Sequence, residues 1–373
     1  MVSIAILGCD NNAFYIASHL LYHNYNPQQH PDNNNRILLV GHQDPFHDLN
    51  ISQKVVFKIF DGQEINIPRN QIEYTTDAKN IVEFKPDFVL LTLKGTRTIE
   101  VLKDIVNLDG KTVIVSMQDG ILNSDIISVV LPNTKIIEGL ILQNITSSQN
   151  CHFVQESSDG VIILQSTPES LKLQQIFHQS ELFVRLCSNL KNVMYGQLIL
   201  KLGNALVYLS GLPFEKYIKD KSWRRIHAYC QWEALEVFKH HGIEPVSAMN
   251  SSLPLQITPY LLMTPDWILR PVLDNVFKQE SMKFGINLMA KDFRDFRFEN
   301  KLEIDDLQGE IVRLGVGGSE GLETIYNSGI FRLVKLVENV LREAKKDWKV
   351  EIEADEVLNY IENGTVPQVL LNN

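Results

Sequence analysis

Six residues near the start of the chain, Gly8-Cys9-Asp10-Asn11-Asn12-Ala13, have the spacing of a loop that turns a strand into a helix and cradles a diphosphate. The apolar run Ser3-Ile4-Ala5-Ile6-Leu7 leads straight into it, and a helix-like stretch from Phe14 to His23 follows. In the G-x-G-x-x-G/A pattern the first glycine makes the turn, and the third small residue lets helix and strand pack. Gly8 and Ala13 meet those needs. The second glycine lets the backbone approach the pyrophosphate of a dinucleotide, and Asp10 stands there instead. A carboxylate about 4 Å from a phosphate charge is repelled by roughly 1 kcal/mol in water-like surroundings and roughly 4 kcal/mol near a protein surface. The larger figure weakens binding roughly a thousandfold. Asp10 escapes that cost by swinging to solvent, or by capping the following helix as an acceptor for backbone N–H groups. In the capping case it takes the place that the pyrophosphate would take. Alone, so degenerate a loop is equally compatible with an ordinary strand–turn–helix.

The elements that must hold this loop alternate. Strands are expected at Ile4–Leu7, Ile37–Val40, Phe88–Leu93, Thr112–Ser116, Lys135–Leu140 and Val161–Gln165, mostly short and apolar on both faces. Helices fit between them, notably Thr98–Val106 and Ile121–Leu131. This is the βαβ rhythm of a doubly wound sheet. The polar stretch from Asn24 to Asn35 reads as a surface loop. Beyond Ser166 the strand signals fade, and helices are expected at Leu171–Leu182, Tyr195–Leu209, Trp223–His241, Trp267–Phe293, Leu307–Leu314 and Gly329–Asp347. The expected organisation is a Rossmann-like α/β domain with a doubly wound parallel sheet over 1–167 and a mostly α-helical C-terminal domain over 168–373.

Bulk properties bound the function. The 373 residues suffice for two domains with well-buried cores. A hydrophobic content of 44% and a charged content of 21% are those of an ordinary soluble protein. A net charge of −10 argues against a nucleic-acid partner. Cys9, Cys151, Cys187 and Cys230 are scattered without metal spacing, which suits a reducing compartment. His42, His240 and His241 lack metal-like partners and read as surface residues. No signal peptide or membrane span is evident, so a cytoplasmic protein without a membrane partner is expected.

Four further segments carry a family resemblance. Leu90-Leu91-Thr92-Leu93-Lys94 resembles a strand ending V-T-V-K, and Ser116-Met117-Gln118-Asp119-Gly120 a Q-N-G turn. Tyr195 to Pro213 (YGQLILKLGNALVYLSGLP) is similar to W-G-K-L-L-x-N-x-x-N-A-L-x-A-L-x-G-L-P. Leu302-Glu303-Ile304-Asp305, followed by Gly309-Glu310-Ile311-Val312-Arg313-Leu314, looks like T-E-I-D-x-x-x-G-E-V-V-R-L. In order and spacing these resemble the ketopantoate reductase (2-dehydropantoate 2-reductase) family over most of the chain. The resemblance implies reduction of a 2-keto acid, 2-dehydropantoate to pantoate in pantothenate biosynthesis, with NADPH. A lysine would protonate the developing oxyanion and a glutamate would bind the substrate hydroxyl, chemistry that needs an acid beside the oxygen where charge develops.

Residue by residue the carry-over is imperfect. The family's catalytic lysine position falls on Gln197, and the asparagine one turn later falls on Lys201; Asn204 matches. Positions 197, 201, 204 and 208 are four, three and four apart, so one helical stripe holds them. A helical side chain leans toward the N-terminus and one turn rises only about 5.4 Å, so Lys201 can reach toward the space over Gln197. Lys201 is thus the candidate acid, with a surface lysine as the bland alternative. Glu303 matches the substrate glutamate, against the alternative of a solvated charge beside Asp305 and Asp306. Lys94 matches the cofactor-side lysine; at a parallel strand's carboxyl end it faces the ligand crevice, against the alternative of a simple strand-end charge. Asp119 replaces an asparagine and sets a carboxylate near an anionic ligand. Leu288 replaces a serine before Met289, and the loop between Asp292 and Glu303 is three residues longer than the pattern. The second strand should end in an arginine for the 2′-phosphate of NADPH. Asp44 stands about there, which suits the ribose diol of NAD, or simply forms a turn before Pro45.

Two readings remain. In the first the chain is an enzyme, with Lys201, Asn204 and Glu303 catalytic and with Gly8, Asp10, Ala13, Lys94 and Asp119 lining a site for NADP or NAD. Its partner is a small 2-keto acid, and a homodimer stays open. In the second the fold persists as a binding or scaffold protein without redox chemistry, since Asp10, Asp44, Asp119, Gln197 and Leu288 all fall at ligand-facing positions of the family.

Overall fold

The structure, a computed structural model, describes residues 2–25, 35–41, 53–148, 151–156, 160–248, 254–278, 303–317, 321–343 and 350–371. It divides into two compact units, Met1–Leu190 and Lys191–Asn373. The first unit opens with β1 (Ser3–Leu7), α1 (Asn11–Tyr25), β2 (Arg36–Val40), β3 (Lys54–Lys58), β4 (Glu64–Pro68) and β5 (Glu73–Thr75). It continues through α2 (Asn80–Phe84), β6 (Phe88–Leu91), α3 (Thr98–Asp104), β7 (Val113–Ser116), α4 (Asn123–Val130) and β8 (Lys135–Leu142). It closes with β9 (Ile145–Ser148), β10 (His152–Gln155), β11 (Val161–Gln165), α5 (Pro168–Gln179) and β12 (Val184–Cys187). The expected boundary at 167/168 precedes α5 and β12, both of which pack in this unit: β12 pairs parallel to β11, and α5 lies against the sheet core through Leu173, Ile176 and Phe177.

Eight strands form one sheet in the order β12-β11-β8-β7-β6-β1-β2-β5, parallel throughout except for β11 against β8. This is the expected α/β fold, with a doubly wound sheet first and a helical region after it. β1 lies between β2 and β6, so the winding reverses there and opens a crevice at the carboxyl ends of β1 and β6. The strand residues are apolar on both sides because both faces are covered. Ile4, Ile6, Leu39 and Leu90 join α1 on one face; Ala5, Leu38, Val89 and Ile114 join Leu102 of α3 and Ile127 of α4 on the other.

A second, smaller sheet, in the order β4-β3-β10-β9, was not expected. Its Phe153 stacks on Phe14 at 4.7 Å between ring centroids, and its Phe57 meets Tyr15 at 5.5 Å. α1 is therefore covered from both sides, and every residue from Ala13 to Leu21 is buried. That includes Ser18 and His19 on what would otherwise be its wet face.

The second unit comprises α6 (Leu190–Lys201), α7 (Gly203–Ser210), α8 (Phe214–Lys219), α9 (Lys221–His240), α10 (Thr258–Leu262), α11 (Asp266–Lys278), α12 (Gln308–Val316), α13 (Ile325–Glu343), α14 (Ala354–Asn363) and α15 (Gln368–Leu371). α9 is its central post. Asp220 caps it, accepting from Ser222 N–H at 2.8 Å and Trp223 N–H at 3.1 Å. Its buried Arg224 donates to Ile218 O, Leu262 O and Asp266, so the charge enters the core with acceptors already in place. Its Glu233 accepts from Tyr326 N–H at 2.8 Å and Asn327 N–H at 2.9 Å, anchoring the start of α13.

Each unit holds a buried neutral histidine. Burial pushes His19 and His227 each down to about 4. In the unfolded chain a histidine titrates near ~6.5, so between these values the unfolded state binds more protons. Stability is complete above that window and falls as pH drops through it, by up to about 1.4 kcal/mol per pH unit for each histidine. Denaturant midpoints measured from pH 7 to pH 4 should show this fall, and His19→Leu should flatten it for the first unit. An unchanged slope in the variant would show that His19 is not neutral in the fold.

Candidate functional site

In the first unit the expected residues gather at the carboxyl ends of three adjacent parallel strands: Gly8 after β1, Lys94 after β6 and Asp119 after β7. Gly8 has φ +150°, and its N–H donates to Val40 O at 2.9 Å. A Cβ there would overlap Thr92 Oγ1. Only glycine meets both demands. Thr92 N–H and Leu93 N–H both donate to Leu7 O, at 2.9 and 3.2 Å, so the ends of β1 and β6 are laced together. Ala13, wholly buried, lets α1 close onto the sheet.

Asp10 takes the capping position. Its Oδ1 accepts from Ala13 N–H at 3.0 Å, and its carbonyl accepts from Phe14 N–H at 3.2 Å. The carboxylate gains from the first-turn donors and from the positive end of the helix dipole. That end is where a dinucleotide's diphosphate binds in this topology. Asp10 therefore uses a donor that the phosphate would use, and adds its own repulsion. Its side chain is exposed, so releasing the cap costs only about 0.5–2 kcal/mol. The turn and the crevice fit a dinucleotide, and the diphosphate position fits it at that penalty.

Lys94 is half-buried, and its carbonyl accepts from Arg97 N–H at 3.0 Å as a 3-10 turn begins. Asp119 is exposed, and its carbonyl accepts from Asn123 Nδ2 at 2.6 Å. Between them lies a residue that sequence reasoning quoted but did not weigh. Gln118, 2% exposed, donates through Nε2 to Leu93 O at 2.8 Å and Thr98 Oγ1 at 2.7 Å, and accepts from Ser116 Oγ at 3.2 Å. It clamps the ends of β6 and β7 to the start of α3. Asn11, also passed over, ties the glycine loop to β9 through Ile145 O at 2.8 Å.

In the second unit the expected single helix over Tyr195–Leu209 is two helices. α6 ends at Lys201 and α7 begins at Gly203, with Leu202 still near helical geometry at φ −56° and ψ −27°. The stripe survives in part: Gln197, Asn204 and Tyr208 are buried, while Lys201 at the break is partly exposed. Side chains brace both sides of the break. Gln231 of α9 donates to Ile199 O at 3.2 Å, and Gln308 of α12 donates to Leu202 O at 2.8 Å. A Cβ at Gly203 would come 2.6 Å from His227 Cε1, so the glycine seats α7 directly on α9. Glu303 is partly exposed at the start of the turn that leads into α12. Burial, with the charge of Glu338 on α13 adding to it, pushes the Tyr208 hydroxyl far up, so Tyr208 stays protonated.

Asp44, His42, Leu288, Met289 and Asp292 lie outside the described residues. Among the described residues no group of three or more His, Cys, Asp and Glu could hold a metal ion, and no helix is long and apolar enough to cross a membrane.

The cap at Asp10 has a direct consequence. Asp10→Gly removes both the repulsion and the competing acceptor while costing the helix only a few tenths of a kcal/mol. NADH and NADPH should then bind about tenfold tighter or better by calorimetric titration. Unchanged affinity would mean that the carboxylate is not at the diphosphate position.

Two family models match the chain: ketopantoate reductase PanE/ApbA over residues 4–169, and ketopantoate reductase PanE/ApbA C terminal over residues 189–338. No curated protein matches it. Among solved structures, a PanE/ApbA family ketopantoate reductase from Ralstonia eutropha JMP134 is similar at TM-score 0.70 and 16% identity, over 91% of this chain and 99% of that one. D-mandelate dehydrogenase, in a ternary structure with NADH and anilino(oxo)acetate, is similar at TM-score 0.68 and 19% identity, over 91% and 99%. A dimeric ketopantoate reductase from Staphylococcus aureus is similar at TM-score 0.61 and 15% identity, again over 91% and 99%. At such identities the likeness is one of fold. The two family models together match most of the chain, and the chain belongs to the ketopantoate reductase PanE/ApbA family.

Proposed function

We propose that the chain reduces the ketone of a small 2-keto acid with a nicotinamide cofactor, the family reaction being 2-dehydropantoate to pantoate in pantothenate biosynthesis. The observation that carries this reading is a link within the second unit. Gln308, in the motif that contains Glu303, donates to Leu202 O, the carbonyl between Lys201 and Asn204. The three residues that the reaction needs are thereby tied into one piece of structure. When bound, the cofactor supplies the hydride. Lys201 gives its proton to the carbonyl oxygen as negative charge develops there, and its cation stabilises that charge. Asn204 and Glu303 hold the polar groups of the substrate. Gly8, Ala13 and Lys94 are the cofactor-side residues, with Asp119 at the edge of the same crevice.

The cofactor in this reading is NADH at least as readily as NADPH. No arginine follows β2 in the sequence Val40-Gly41-His42-Gln43-Asp44, and an acidic residue there suits a ribose diol. The D-mandelate dehydrogenase structure contains NADH, which supports the same preference. A homodimer in the cytoplasm completes the reading, in line with the dimeric relative from Staphylococcus aureus. The Asp10 cap favours a second reading, in which the fold is kept as a binding or scaffold protein without hydride chemistry.

The test is turnover. Oxidation of NADH and NADPH is followed spectrophotometrically with 2-dehydropantoate and a panel of other 2-keto acids. Lys201→Ala should lower kcat about 10²- to 10⁴-fold while leaving the cofactor Kd nearly unchanged. Equal activity in that variant would remove Lys201 from the mechanism. Absence of turnover by the natural chain with every 2-keto acid would favour the second reading.

A further inference from the structure

We infer that Gln308 is a positioning residue, the side chain that fixes the turn carrying Glu303 against the helix break carrying Lys201 and Asn204. The inference rests on the proposed roles of those three residues. Gln308 is the first residue of α12 and is wholly buried. Its Nε2 donates to Leu202 O at 2.8 Å across a sequence separation of 106 residues. On its own side the chain is a closed turn. Asp306 N–H donates to Glu303 O at 3.0 Å, and Leu307 N–H and Gly309 N–H donate to Ile304 O at 3.3 and 2.9 Å. Glu303 and Gln308 therefore move together, and the bond to Leu202 O carries the position of one into the other.

Two comparisons set Gln308 apart from other groups in this region. Another tether of the turn, from Lys335 Nζ to Asp305 Oδ2 at 2.6 Å, joins side chains that are 34% and 53% exposed, and an exposed pair of that kind contributes little. The second brace of the break, from Gln231 to Ile199 O, comes from α9 and does not touch the turn. The chemistry of the position also matters. Gln308 Oε1 is buried and meets no protein partner among the described residues. A buried acceptor without a partner is destabilising, and a methionine would fill the same volume without it. What the amide adds over methionine is a side-chain donor that reaches Leu202 O from the turn.

The test pairs two variants of the full chain. Gln308→Met keeps the volume and removes the donor that reaches the turn's partner; Gln231→Met removes the other brace of the same break. Gln308→Met should lower kcat with a 2-keto acid about ten- to a hundredfold and raise KM for it, with the NADH Kd unchanged. Amide hydrogen exchange should quicken about two- to tenfold in peptides covering both 198–206 and 303–309. Gln231→Met should quicken exchange at 198–206 alone. Normal kcat in Gln308→Met, or the same kinetic and exchange pattern in both variants, would overturn the inference. If the natural chain turns over no 2-keto acid, the reductase reading falls. Exchange at 303–309 then decides by itself whether Gln308 fixes the turn: quickening there would uphold the tether, and unchanged exchange would overturn it.

Discussion

The close approach of Gly8 to Thr92 governs the carboxyl edge of the main sheet. No side chain fits at residue 8, so β1 can end against β6, and Leu7 O can accept from both Thr92 N–H and Leu93 N–H. α1 then starts within a few residues, and the second sheet buries it on its far side. Its N-terminus is fixed in place as a result. A fixed helix N-terminus at a topological switch point attracts anions, and this chain puts its own anion there. Asp10 stabilises the helix when no ligand is bound, and any phosphate must compete with it. In the proposed reading this residue trades cofactor affinity for stability, by an amount comparable with one helix cap.

The second unit depends on a different constraint, the break at Leu202. The break is slight, since Leu202 N–H still donates to Leu198 O at 3.1 Å. Two glutamine side chains add donors to the carbonyls of Ile199 and Leu202, and Gly203 allows α7 to sit against His227. Lys201 ends up at a helix terminus, partly exposed, while Asn204 next to it is buried. In the proposed reading the basic group therefore stands at a partly exposed helix end rather than at the buried position 197.

Much of this was legible in the sequence. The runs Ile4–Leu7, Ile37–Val40 and Phe88–Leu91 are apolar on both faces, and they are the central parallel strands. The cap at Asp10 was one of two outcomes that its side-chain chemistry allowed. What escaped has identifiable causes. β3 and β4 are five residues each, too short for a clear alternation, and their sheet is completed by β9 and β10, which are remote in sequence. β12 is four residues long and follows a helix, so its local signal was too weak to separate from the helical half. The break at Leu202 has no local mark except Gly203, because the residues that hold it, Gln231 and Gln308, are remote in sequence. Gln118 and Gln308 both lie inside recognised motifs. Their side chains carry no charge to mark them, and it is these buried amides that make the connections.

The most direct measurement is a calorimetric titration of the purified natural chain with NADH and with NADPH, at fixed pH and ionic strength. Saturable binding of one cofactor per chain is expected, with NADH at least as tight as NADPH and both weakened by the Asp10 cap. Absence of binding by either cofactor up to millimolar concentration would contradict it, and would leave the fold as a scaffold for other ligands.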